Sequence, residues 1–188
     1  MNVYQKCPVM ENDRFLLRPV KSEDCAPLLK VYSDPQAVLL FNSDNCHGDD
    51  FYYRTKERMA KAIDFWFFSY TEKYFVRWSI IDRKTGEVIG TVEVFRREAE
   101  DSFTDTALLR LDVRSDYERT DELVSVLSII KEHCLKLFDC DTITTKAIPQ
   151  AQARRAALQA MGFAESTNTL KGQDGTLYKH YFVYDKNA

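Results

Sequence analysis

A chain of 188 residues with 45% hydrophobic content can bury one sizeable core and is too apolar for a disordered chain. Its formal charge of −3 supplies no global field to recruit nucleic acid or an anionic membrane. Five cysteines without a Cys-x-x-Cys pair, and three scattered histidines, argue against a disulfide framework, a zinc ribbon or a metal site. Residues Met1 to Lys6 lack the apolar stretch of a signal peptide, and no apolar run nears the roughly 18 residues of a membrane helix. The expectation is one domain over 1–188, cytoplasmic, working without nucleic acid, membrane or metal.

In chain order, Phe15 to Val20 reads as a short strand closed by Pro19. Ser22 is a natural N-cap, with Glu23 and Asp24 suited to the positive end of a helix dipole. That helix runs toward Tyr32 and stops before Asp34-Pro35, because the residue before proline avoids the α region. Asn42 to Gly48 has the composition of a surface loop. A second helix is predicted over 49–70, where Tyr52, Lys56, Met59, Ile63, Trp66 and Tyr70 recur at three- and four-residue steps. Its cluster Phe65-Trp66-Phe67-Phe68 reads as core or partner contact, or as part of a substrate or homodimer surface.

A hairpin follows. Tyr74 to Ile81 alternates with the strand period, Asp82 to Glu87 turns with Gly86 free to take positive φ, and Val88 to Phe95 returns. Glu98 to Asp105 is an acidic, exposed connection. Ala107 to Val113 is a further strand, with Leu109, Leu111 and Val113 on one face and Leu108, Arg110 and Asp112 on the other. Leu123, Val126, Leu127, Ile130, Cys134 and Leu137 form a helical stripe. Thr142 to Ala147 is a β-branched strand, and Pro149 opens a helix from Gln150 to Met161 that Gly162 closes. Phe163 to Glu165 and Leu177 to Tyr184 are two closing strands. The order suggests a mixed α/β sheet with helices on its faces.

Four places in this order resemble the GNAT acetyltransferase superfamily, above all its ribosomal-protein N-terminal acetyltransferase-like branch. They are Arg14-Phe15-Leu16-Leu17-Arg18-Pro19 with Ser22-Glu23-Asp24; Trp78 to Ile81 through Gly86 to Thr91; Leu109-Leu111-Val113 before a long helix; and Ala147-Ile148-Pro149 with Leu158 and Met161-Gly162-Phe163. The resemblance covers nearly the whole chain. It implies an α+β fold with a mostly antiparallel seven-stranded sheet, splayed between its fourth and fifth strands, and helices on both faces. It also implies transfer of an acetyl group from acetyl-CoA to a primary amine, a protein N-terminus or a small amine. The pantetheine arm lies in the splay against fourth-strand backbone, here Leu111 and Val113. The pyrophosphate sits on main-chain donors at the next helix start, here Arg114, Ser115, Asp116, Tyr117, Glu118, Arg119 and Thr120; the general physics is that a helix N-terminus presents unpaired N–H groups and a positive dipole end.

The chain departs from the family pattern in that loop. No glycine occurs between Gly90 and Gly162, and Val113 to Glu122 carries four acids. A helix end offers an anion about 0.3–1 kcal/mol, while one carboxylate about 6 Å from a phosphate costs roughly 1–3 kcal/mol. Asp116, Glu118, Asp121 and Glu122 outweigh the dipole if they point inward, unless Arg114 and Arg119 compensate. Alternatively, Asp116 or Thr120 simply caps the helix. In the last helix, Ala151 and Arg154 replace the branch's asparagine and serine, so Arg154 is either a phosphate ligand or a solvated helix residue. Leu158 stands where many relatives have a general-acid tyrosine.

Aminolysis of a thioester needs a neutral amine and a base, which a carboxylate of raised pKa supplies. Glu93, in an apolar strand, is the first candidate, against a sheet-edge or solvent-facing charge; Asp112 is the second. Tyr178 is a candidate proton donor, against plain packing in a closing strand. A catalytically inactive GNAT-fold module that binds another ligand or a protein is the competing function, and it rests on the altered loop and last helix.

Overall fold

The computed structural model describes residues 2–188. β1 (Met10–Glu11) and β2 (Phe15–Pro19) lead into a short 3₁₀ turn at Ser22–Asp24 and α1 (Cys25–Tyr32). Ser22 is not the cap: the Asp24 carboxylate accepts the Lys21 amide at 2.9 Å and also holds Arg18 and Ser79. α2 (Lys56–Thr71) starts seven residues later than its periodicity suggests. Asp49 and Asp50 accept the amides of Phe51 and Tyr52, which keeps 49–55 out of helix, and Thr55 caps by accepting the Arg58 amide at 3.2 Å.

β3 (Val76–Asp82) and β4 (Val88–Arg97) form the expected hairpin, turned by Gly86 at φ +74°. β5 (Thr106–Val113), α3 (Thr120–Phe138), β6 (Thr142–Lys146), α4 (Gln152–Ala160) and β7 (Ala164–Glu165) follow. The Glu98–Asp105 connection is not simply exposed: Phe103 is buried, and Asp101 grips Arg97 through both carboxylate oxygens at 2.6 and 2.7 Å. The predicted last strand breaks at His180, whose φ is +71°. It yields β9 (Leu177–Tyr178), which pairs with β8 (Leu170–Lys171) as a separate ribbon, and β10 (Tyr181–Asp185), which joins the main sheet.

The main sheet has eight strands in the order β1-β2-β3-β4-β5-β6-β10-β7. Every pairing is antiparallel except β5 with β6. Because β1 precedes the first expected strand, the family's fourth and fifth strands are β5 and β6 here. Period-two alternation divides the faces. Trp78, Ile80, Val92, Leu109 and Leu111 pack with α3 and α4, while α1 and α2 build a second, aromatic-rich core around Tyr32, Tyr53 and Trp66. Among the described residues, no helix is long and apolar enough to cross a membrane.

Candidate active site

Two polar rungs cross the middle of the sheet under α1 and α2. Strand register aligns Arg77 with Glu93 and Glu93 with Arg110; one step along, Ser79 aligns with Thr91 and Thr91 with Asp112. All six side chains are buried. The Glu93 carboxylate accepts a short bond from Arg77 and a 2.5 Å bond from Arg110 Nη1. Burial pulls the Glu93 pKa up, yet the two guanidiniums outweigh it and hold the group below the usual carboxylate range. Glu93 is therefore neither a solvent-facing charge nor a carboxylate of raised pKa.

Asp112 answers that description better. Its Oδ2 accepts the Tyr32 hydroxyl at 2.7 Å and Arg77 Nη1 at 3.3 Å, while its buried Oδ1 has no hydrogen-bond partner. Burial raises its pKa, and Arg77 and Tyr32 offset only part of that. Over these rungs lies a cavity of about 510 Å³, walled by Tyr53, Trp66 and Phe75 and floored by Arg77, Glu93 and Arg110. The Arg77 guanidinium sits 4.2 Å from the Trp66 ring centroid. His47, at φ +54°, also lines it. Asp112 does not line this cavity; Tyr32, whose ring stacks on Tyr53 with centroids 5.3 Å apart, links the two. Tyr178 lies apart, its ring 5.8 Å from Lys146 Nζ, and lines neither this cavity nor the one beside β5.

β5 and β6 part company in mid-strand. They pair in parallel from Thr106–Thr142 to Leu109–Thr145, and Arg110 to Val113 have no partner on that side. In an extended strand alternate residues present their backbone to the same edge, so the Leu111 and Val113 main chain faces the gap. The gap leads to the start of α3. There the Ser115 amide is taken by Asp34 at 2.9 Å, and those of Tyr117, Glu118 and Arg119 by loop carbonyls. Arg119 is the N-cap and its side chain makes no capping bond, so neither Asp116 nor Thr120 caps the helix. The amides of Thr120, Asp121 and Glu122 have no protein acceptor among the described residues. They are the unpaired donors of a helix start.

The acids of this loop divide. Asp116 turns out to Arg114 at 2.7 Å, Asp121 faces Arg119 at 3.7 Å, and Glu122 is held by Arg14 and Arg119. Tyr117 turns into the core and donates to Asp82 at 2.7 Å. Glu122 is buried against Arg14, whereas Glu118 turns toward the gap, to Arg154. Arg154 is not a solvated helix residue: it is 3% exposed. Its Nε and Nη2 donate to the two Glu118 oxygens at 2.8 and 2.7 Å, and its Nη1 donates to the Leu111 carbonyl at 2.7 Å and to Leu40 at 3.3 Å. The sequence shows the position of Arg154 but not its partner, which lies 36 residues away. Arg77 and Arg110 escaped the sequence-level choice of residues too; the signal was there, since the hairpin register already opposes Arg77 to Glu93.

A mixed sheet opened between a parallel pair, with a bare helix start at the mouth of the gap, defines the class of protein. A family model described as an acetyltransferase (GNAT) domain matches residues 14–164. The chain belongs to that family. Solved structures with the same fold include Mycobacterium smegmatis RimJ in complex with CoA-disulfide, at 17% identity and TM-score 0.71, covering 96% of this chain and 87% of that one. A ribosomal-protein-S5-alanine acetyltransferase from Vibrio fischeri matches at 15% identity and TM-score 0.69, over 96% and 97%. Among curated proteins, the uncharacterized N-acetyltransferase YoaA of Bacillus subtilis (strain 168) is 27% identical over 85 residues, 45% of this chain and 44% of that protein. The chain thus matches less than half the length of that relative.

Proposed function

We propose that this protein transfers an acetyl group from acetyl-CoA to a primary amine by direct attack. The observation that carries the reading is the divergence of β5 from β6 beyond Leu109, ending at three unpaired amides of α3. Those donors fit a diphosphate, since they are main-chain groups that need no glycine to point outward. Thr120, Asp121 and Glu122 would hold the diphosphate, and Leu111 and Val113 the pantetheine arm. Acetyl-CoA supplies an activated thioester when bound.

The chain's own residues do the rest. The aromatic-walled cavity binds the acceptor, and RimJ-like neighbours make a protein N-terminus or a small amine the class to try first. The cavity lining carries three arginines, Arg58, Arg77 and Arg110, against the two acids Asp49 and Glu93, and that excess of positive charge disfavours an ammonium and favours the neutral, nucleophilic amine. Asp112, with its raised pKa and free oxygen, is the proton acceptor; it lies outside the cavity wall, so the proton reaches it through a water chain, while Glu93 stays ionised and fixes both Arg77 and Arg110. Calorimetric titration with acetyl-CoA, followed by an amine panel, tests the whole reading. Saturable heat and turnover are expected; no heat at millimolar acetyl-CoA sinks it. In the active protein, Asp112→Asn should remove the acid limb of the kcat–pH profile, a limb centred above the ordinary aspartate pKa of about 3.9. An unchanged limb would take the proton acceptor elsewhere.

A second reading, a catalytically inactive module on an inherited scaffold, has one observation behind it: the Arg154–Glu118 pair stands where the donor would lie.

A further inference from the structure

Arg154 approaches from α4, on the β6 side of the gap, and takes the Leu111 carbonyl on β5. It thereby ties α4 to the open edge of β5, and Glu118 of the loop before α3 holds it there through both oxygens. Resting on the acetyl-CoA reading, we propose that the Arg154–Glu118 pair is a displaceable latch on the donor crevice, a specificity device by which a diphosphate-bearing ligand opens its own site.

Three observations support exchange rather than permanent closure. The plug is ionic, where a crevice that only had to be filled would take apolar side chains, and a buried ion pair contributes little net stability for its desolvation cost. Its carboxylate belongs to a side chain near the surface: Glu118 is only half-buried, between the 3₁₀ turn at Ser115–Tyr117 and the start of α3, and its side chain can swing out while Tyr117 beside it stays anchored to Asp82. And the replacement is matched in kind. A guanidinium that gives up a bidentate carboxylate donates to phosphate oxygens with the same fork geometry, beside the unpaired amides of Thr120 to Glu122. The other three acids of the loop are tied to arginines away from Arg154, so only one carboxylate has to leave.

The test is the affinity for CoA, by calorimetry, of the full chain and two variants. Glu118→Gln keeps the volume and removes the charge; the double variant E118Q/R154M removes both charges and guards against misfolding from an unpaired buried arginine. A latch open in about one molecule in ten lowers apparent affinity about tenfold, so E118Q should bind CoA about tenfold more tightly than the parent. The double variant should also bind more tightly than the parent, by less, because it lacks the guanidinium. If E118Q does not fold, the double variant decides alone. A parent that binds CoA with variants no tighter overturns the latch and leaves the acetyl-CoA reading standing. A parent too weak to measure beside a variant that binds supports both. No binding by any of the three at millimolar CoA overturns the donor reading and the latch with it.

Discussion

Glu93 shows how a single buried charge is kept. It is 1% exposed and would be expensive to desolvate, but each carboxylate oxygen meets a guanidinium. Glu93→Gln leaves Arg77 and Arg110 without that countercharge and should cost about 3–5 kcal/mol, read from urea unfolding at neutral pH. The sign of the pH dependence follows from the depressed folded pKa. Stability from Glu93 is complete above the unfolded value of about 4.3 and is lost as pH falls through the lower folded value. The variant should therefore be less stable near neutrality and lose less on acidification; a parallel loss in both proteins would contradict the assignment. Residue-scale chemistry was half legible in the sequence. Glu93 and Asp112 stand out as acids in apolar strands, but which one is clamped and which is left with a free oxygen depends on Arg77 of β3, Arg110 of β5 and Tyr32 of α1. Burial of Arg154 was hidden for the same reason, because its countercharge arrives from a distant loop.

At the scale of elements, the close approach of β4 to β5 shapes the wall of the gap. Gly90 needs no unusual φ; it is there for space. A Cβ added to it would stand 2.2 Å from the Asp112 carbonyl oxygen and 2.9 Å from Val113 Cα. Both obstacles are backbone, so Gly90→Ala must push β5 aside and should cost at least the roughly 1–3 kcal/mol of an overpacked core. Thermal melting checks this: a drop in Tm is expected, and an unchanged Tm would mean that β5 yields freely at its splayed end. Elements with local signals were the readable ones. The hairpin around Gly86, the α3 stripe and the Gly162 stop at φ +85° declare themselves through period and turn chemistry. The start of α2 did not, because the side chains of Asp49 and Asp50 compete for the local amides and Thr55 is the cap actually used. The two-residue β1 and the β8–β9 ribbon are too short to carry a period at all.

For the whole molecule, the family resemblance in the sequence and the architecture agree: one sheet, opened between β5 and β6, with helices on both faces. The splay itself could not be read from composition, since the β-branched run of β6 would serve equally well in a fully paired strand. What matters for function is whether the opened edge and the bare start of α3 act together as one anion-receiving surface. Backbone NMR of the ¹⁵N-labelled protein during titration with acetyl-CoA addresses that directly. Saturable shifts concentrated at the amides of Leu111, Val113, Thr120, Asp121 and Glu122 are expected. Amides there that stay unmoved at millimolar acetyl-CoA, or shifts confined to other parts of the surface, would contradict a shared anion-receiving surface.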